Sequence, residues 1–181
     1  METIKIERAT IHDIAELQSI GRQTFYETFV EVNTEADMNA YLDDSFSDAQ
    51  LLSELNNKDS QFYFAVDGGK VIAYLKLNTG LAQKENPTEN GLEIERIYVL
   101  QPYHGKGVAQ QLYAKALEIA SNFAVDFVWL GVWEENAKAI RFYQKNGFVA
   151  FGQHEFVIGE DVQTDILMKN LLVTNQLERV G

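Results

Sequence analysis

Residues 103–120 read YHGKGVAQQLYAKALEIA, and residues 92–99 just before them read LEIERIYV. The first segment sets Gly105 and Gly107 around Lys106 and continues with apolar residues at helical spacing. The second alternates and predicts a strand. A strand, a glycine turn and a helix therefore follow one another. Glycine lets the backbone approach a ligand closely. A helix N-terminus offers unpaired N–H groups and the positive end of a dipole. Together they suit an anion, above all a phosphate or pyrophosphate.

Three phosphate ligands compete for such a turn, beside the reading that the glycines merely shape a tight corner. A nucleoside-triphosphate loop needs Ser or Thr after its lysine, but Gly107 follows Lys106, and the upstream glycine is missing. A dinucleotide turn needs Gly or Ala three residues after its second glycine, and Gln110 stands there. Coenzyme A pyrophosphate asks only for a short turn lined by N–H groups.

Working outward, residues 3–9 alternate as a strand, and Ile14, Leu17, Ile20, Phe25 and Phe29 mark a helix over 12–30. Residues 31–46 are polar and acidic, a loop or a second short helix; Ser47 caps a further helix over 47–57. QFYFAV (61–66), DGG and KVIAYLKL (70–77) predict a hairpin, and 78–91 an exposed loop. After the helix of about 106–122 come a strand at 126–133 and a helix at 136–147, capped by Asn136 and stopped by Gly147. FVAFGQHEFVI and DVQTDILMKNLL predict a second hairpin around Gly159. This order is a mixed α/β arrangement, neither doubly wound nor all-β. One domain is expected over 1–172, with a loosely held tail at 173–181.

Composition narrows the chemistry. There is no cysteine among the 181 residues, which excludes disulfides, thiolate metal sites and a Cys nucleophile. Three scattered histidines, His12, His104 and His154, argue against a metal centre. The 27 acidic and 15 basic residues give a net charge of −12, unsuited to nucleic acid. An acidic chain attracts cationic ligands, although acidity serves solubility equally well. No run approaches the roughly 18 apolar residues of a membrane span. METIKIERAT lacks the features of a secretory signal, so the default location is cytoplasmic.

A second constellation follows at 136–148, NAKAIRFYQKNGF. It resembles the Asn-x-x-Ala-x-x-Phe/Leu-Tyr-x-Lys-x-Gly-Phe motif of the GCN5-related N-acetyltransferases, with every specified position present. HGKGVA (104–109) resembles that family's acetyl-CoA turn, Gln/Arg-x-x-Gly-x-Gly/Ala, with His104 in place of Gln or Arg. The strand and helix order matches over nearly the whole chain. TFYETF, SQFYF, LEIERIYV, WLGVWEEN and QTDILM are similar to segments of bacterial PaiA-type spermine/spermidine acetyltransferases.

The resemblance implies a mixed, mostly antiparallel sheet of about seven strands flanked by helices, with two central strands splayed to hold CoA. It implies acetyl-CoA as cosubstrate, with no metal, and a small polyamine as acceptor. An amino sugar, an antibiotic amine or a protein N-terminus are alternative acceptors, and a non-catalytic acyl-CoA sensor is a different class. Members of the family often form homodimers. No nucleic acid or membrane partner is implied.

The resemblance also assigns residues. His104, Gly105, Lys106, Gly107, Val108, Ala109 and Gln110 would hold the pyrophosphate. Ile97, Tyr98 and Val99 would offer backbone groups to the pantetheine arm, with Val99 N–H on the thioester oxygen. Asn136 would contact the cofactor or cap its helix, and Lys145 would reach a CoA phosphate or stay solvated.

Amide formation requires a base, because a primary alkyl amine has a pKa near 10 and its protonated form cannot attack. The departing thiolate benefits from an acid. Tyr143 is the candidate acid, against a core-tyrosine role. Glu95 is the candidate base, with Glu93, Tyr98 or a water relay as alternatives; a structural ion pair is an equal reading of Glu95. By strand alternation Glu93, Glu95, Ile97 and Val99 are expected on one face. Tyr26, Glu27, Glu31, Glu35 and Asp37 suit either a cationic acceptor or a solvated helix face.

Overall fold

The computed structural model describes residues 3–85 and 89–173. The expected tail, beyond residue 173, lies outside the described residues. In chain order come β1 (Lys5–Arg8), α1 (Ile14–Phe29), α2 (Glu35–Ser45), α3 (Asp48–Asn56), β2 (Ser60–Asp67), β3 (Lys70–Asn78) and β4 (Gly91–Val99). Then follow α4 (Val108–Asn122), β5 (Phe127–Trp133), α5 (Ala137–Lys145), β6 (Val149–Ile158) and β7 (Asp161–Leu171). Among the described residues the strands form one sheet in the order β1-β2-β3-β4-β5-β7-β6. Every neighbouring pair is antiparallel except β4 and β5. The expected mixed, mostly antiparallel sheet of seven strands is therefore present.

The helices start where side chains accept their first amides. Thr34 accepts from Asp37 N–H, Ser47 from Gln50 N–H and Asn136 from Ala139 N–H. The acidic stretch at 31–46 is thus mostly helix, because Met38 and Leu42 lie one turn apart and are buried. Each sheet face carries its own core. On one face, α4 buries Val108, Leu112, Ala116 and Ile119 against Leu75, Leu77, Leu92 and Ile94. On the other, α1–α3 bury Leu17, Phe25, Met38, Leu42 and Leu51 with Phe62, Phe64 and Tyr74. No helix of the described residues is long and apolar enough to cross a membrane.

Two irregularities shape the centre of the sheet. The first is a bulge in β4: Leu77 pairs with Ile94 but Lys76 pairs with Arg96, so one extra residue enters between them. Side-chain alternation therefore breaks at Glu95. Ile94, Ile97 and Val99 all join the α4 core, whereas Tyr98 packs on the α1–α3 side. The expected single face of Glu93, Glu95, Ile97 and Val99 is incorrect for this reason.

The second irregularity is a split. β4 and β5 pair only at Gly91–Phe127, Leu92–Val128 and Glu93–Trp129. Beyond Glu93 the β5-facing edge of β4 has no strand partner among the described residues. Leu100 N–H donates to Ile72 O at 2.9 Å, which fixes the antiparallel phase of β3 and β4. The alternation of hydrogen-bonded and non-bonded pairs then turns the N–H groups of Ile97 and Val99 toward the split.

Candidate active site

A cavity of about 930 Å³ occupies the split and opens to both sheet faces. Its α4 side is built by the glycine turn. Gly105 and Gly107 adopt φ of 75° and 79°, a left-handed backbone that glycine alone adopts without strain. The first amide of α4 to find a backbone carbonyl is that of Gln111, bonded to Gly107 O at 3.2 Å. The preceding amides remain available at the positive end of the helix dipole. His104, Gly105, Gly107, Val108, Ala109 and Gln110 all border the cavity. Lys106 does not; its ammonium lies over the Tyr103 ring, 5.2 Å from the centroid. His104 Nε2 contacts Val99 O at 2.7 Å, tying the turn to the end of β4.

Tyr143 enters from α5. Its ring is 6% exposed and packs at 5.5 Å from the Phe148 ring. Its hydroxyl has no protein hydrogen-bond partner among the described residues, and the residue lines the cavity. Burial raises the phenol well above its ordinary value, so it stays protonated at neutral pH. Asn136 lines the cavity while its Oδ1 accepts from Ala139 N–H at 3.1 Å. Lys145 also reaches the cavity wall.

The carboxylates lie deeper, on the α1–α3 side. Asn78 Nδ2 donates to Glu93 Oε2 at 3.0 Å and to Glu95 Oε2 at 2.7 Å. Lys84 N–H donates to Glu93 Oε2 at 2.9 Å. Lys76 Nζ, itself buried, sits 2.6 Å from Glu95 Oε2 and 3.0 Å from Glu54 Oε2. Lys84 Nζ adds a contact of 3.5 Å to Glu95 Oε1. The two acids are therefore unlike. Desolvation alone would raise Glu95, but Lys76, Arg96 and Lys84 outweigh it and hold the carboxyl at about 2. Desolvation wins at Glu93, helped by the neighbouring Glu95 charge, and raises it above the usual carboxylate range.

Phe25, Thr28 and Phe29 of α1 and Tyr41, Asp44 and Ser45 of α2 complete this side. None of Tyr26, Glu27, Glu31, Glu35 or Asp37 borders the cavity. Glu27 instead accepts the Gln101 N–H at 3.0 Å, and Asp37 the Thr34 hydroxyl at 2.8 Å. The loop expected to be exposed at 78–91 partly folds onto the site: Gln83 is buried and accepts the Trp129 indole N–H at 2.7 Å. A buried indole N–H and a buried carboxylate both need partners, and this loop supplies them.

A split holding a glycine-turn anion site beside a buried tyrosine matches what is found by comparison. Residues 22–148 match the acetyltransferase (GNAT) family. The chain belongs to that family. It is an N-acetyltransferase, and acetyl-CoA is its cosubstrate. An uncharacterized N-acetyltransferase of Lactobacillus delbrueckii subsp. lactis is 39% identical over 96% of this chain and 100% of that protein. Spermidine N(1)-acetyltransferase of Thermoplasma acidophilum is 24% identical over 81% of this chain and 88% of that protein. The crystal structure of PaiA N-acetyltransferase from the same organism, in complex with coenzyme A, superposes with a TM-score of 0.78 at 22% identity, covering 94% of this chain and 99% of that one.

Several residues of this acetyltransferase's cavity region are not singled out by the sequence reading: Glu54, Lys76, Asn78, Lys84, Arg96 and Asp165. Lys76 did carry a signal, a cation inside the apolar run VIAYLKL (71–77). Glu54 and Asp165 carried none, since each reaches the site only through tertiary packing.

Proposed function

We propose that this acetyltransferase acts in the cytoplasm on a primary amine of a small polyamine, spermidine or spermine. The observation that carries this reading is the buried Glu93–Glu95 pair joined by Asn78 on the acceptor side of the split. Glu93 makes no ion pair among the described residues, so its carboxyl group suits a cationic amine. Likeness to the Thermoplasma spermidine acetyltransferase adds support.

The amine enters as an ammonium ion attracted by Glu93 and must lose a proton before it attacks. Glu93, whose proton affinity is raised, is the acceptor; Glu95 stays ionised beside Lys76 and Lys84, and its charge adds to the proton affinity of Glu93. Nitrogen then attacks the thioester carbonyl carbon. An N–C bond forms, the C–S bond breaks, and the sulfur leaves as thiolate. Val99 N–H, turned into the split, stabilises charge on the carbonyl oxygen. Tyr143 gives its proton to the sulfur, and the nitrogen sheds its second proton to leave a neutral amide, a proton returning to Tyr143 through solvent. The amides from Gly107 to Gln110 hold the pyrophosphate, with Lys145 close enough to assist. Ile97 offers its N–H to the pantetheine arm, with Tyr98 between it and Val99. Asn136 fixes the start of α5 and with it Tyr143.

The test is release of CoA thiol from acetyl-CoA in the presence of spermidine, spermine, putrescine, lysine, an aminoglycoside or a peptide N-terminus. Saturable turnover with spermidine or spermine is expected to exceed that with the others. Turnover confined to the aminoglycoside or the peptide would overturn the polyamine reading.

A further inference from the structure

Across the split from Glu93 and Glu95, β5 presents Gly131, and behind it stand Asp165 of β7 and His154 of β6. All three border the cavity. A Cβ at Gly131 would lie 3.4 Å from Asp165 Oδ2 and 3.5 Å from His154 Cε1. The bare glycine thus leaves Asp165 and His154 next to the cavity space that a side chain at this position would enter.

Asp165 is poorly satisfied for a half-buried acid. Its side chain is 16% exposed, and the one basic side chain in salt-bridge range among the described residues is that of His154, with Nε2 at 3.4 Å. That contact is longer than an ordinary hydrogen bond. His154 is committed elsewhere: its Nδ1 lies 3.0 Å from Glu85 Oε1. Desolvation raises Asp165 from its ordinary value, with His154 opposing the rise. A carboxylate facing a cavity without a close donor is costly unless a ligand supplies one.

We propose that Asp165 is the specificity-determining residue for a second cationic group of the acceptor, so that the site selects diamines and polyamines over monoamines. Resting on the amine-acetyltransferase reading above, the assignment puts the reacting nitrogen at Glu93. The distal ammonium sits over Gly131, where it donates to Asp165. His154 steadies Asp165 from behind and is itself steadied by Glu85.

The experiment compares kcat/KM for spermidine and for n-butylamine in the wild type, Asp165→Asn and His154→Gln. Asp165→Asn, nearly isosteric, is expected to lower the spermidine-to-butylamine ratio about tenfold, the worth of one charge-assisted hydrogen bond. His154→Gln is expected to preserve most of the ratio. An unchanged ratio in Asp165→Asn overturns the proposal, as does a fall in His154→Gln as large as in Asp165→Asn. Calorimetric titration of spermidine into the protein saturated with CoA gives the same comparison without turnover. Weaker spermidine binding in Asp165→Asn supports the proposal even where the amine is not acetylated. Equal binding in both proteins, or none in the wild type, overturns it. Turnover of butylamine without preference for spermidine leaves the amine chemistry standing and removes only the second subsite.

Discussion

Lys76 Nζ lies 2.6 Å from Glu95 Oε2, and both side chains are nearly closed off from solvent. This contact makes the two β4 carboxylates different. With Glu54 also 3.0 Å from Lys76, the lysine is held by acids from a helix and from the bulged strand. Ordinary pairing beyond Leu77–Ile94 would already set Glu95 opposite Lys76; the extra residue of the bulge brings Arg96 opposite the same lysine.

Lys76→Met keeps the length of the side chain and removes its charge, leaving Glu54 and Glu95 buried without their counter-ion. A loss of about 3–5 kcal/mol in urea unfolding is expected, as for other broken buried pairs. The double variant with Glu95→Gln is expected to recover part of it. Full additivity of the two losses would show that the ion pair is not their common cause.

Glu93 and Glu95 affect stability with opposite signs. Glu95 falls from 4.5 to about 2 on folding, so its contribution is complete above pH 4.5 and is lost as pH drops toward 2. Glu93 is raised on folding, so its ionisation costs stability as pH climbs past its unfolded value of 4.5. Glu93→Gln is therefore expected to be more stable than the wild type at pH 8, with the gain shrinking as pH falls toward 5. Thermal melts at both values check this; a gain that grows toward pH 5 would contradict it.

The same asymmetry predicts the rate profile. The acid limb of kcat/KM reflects loss of a base, and it should lie above 4.5 and vanish in Glu93→Gln. Glu95→Gln should keep that limb and move it to lower pH, because the neighbouring charge that raises Glu93 is gone. An acid limb removed by Glu95→Gln and kept in Glu93→Gln would exchange the two roles.

Tyr143→Phe removes only a hydroxyl from a packed ring. Turnover should drop about 10²–10⁴-fold, as when a general acid is lost, with acetyl-CoA affinity hardly changed. Stopped-flow turnover and calorimetric binding separate the two quantities. Full turnover in the variant would remove Tyr143 from the chemistry.

Gly107→Ala forces a side chain onto a backbone with φ of 79°. Apart from its chain neighbours, no described residue lies within 4 Å of the added Cβ, so the strain is conformational. A destabilisation of about 1–2 kcal/mol is expected, with weaker CoA binding as the turn shifts its amides. Unchanged affinity would show that the turn's conformation does not matter to the cofactor.

The sequence alone determined what is local or periodic. Apolar spacing set α1 and α4, Ser47 and Asn136 set helix starts, and turn residues set both hairpins, because these depend on contacts a few residues apart. The glycine turn and the NAKAIRFYQKNGF segment were legible for the same reason: each is contiguous, and each pointed to the family before any fold was known. Only tertiary structure decided the rest. The β4 bulge moved Ile97 and Val99 to the face opposite Glu93, which no alternation rule foresees. Which acid carries the higher proton affinity depends on Lys76, 19 residues away in sequence, and on Lys84 of the folded-back loop. Asp165 and His154 border the same cavity as the β4 carboxylates only because β7 and β6 close the far side of the split. Charge and desolvation act through space, so groups distant in the chain set the chemistry of a residue that the chain itself only names.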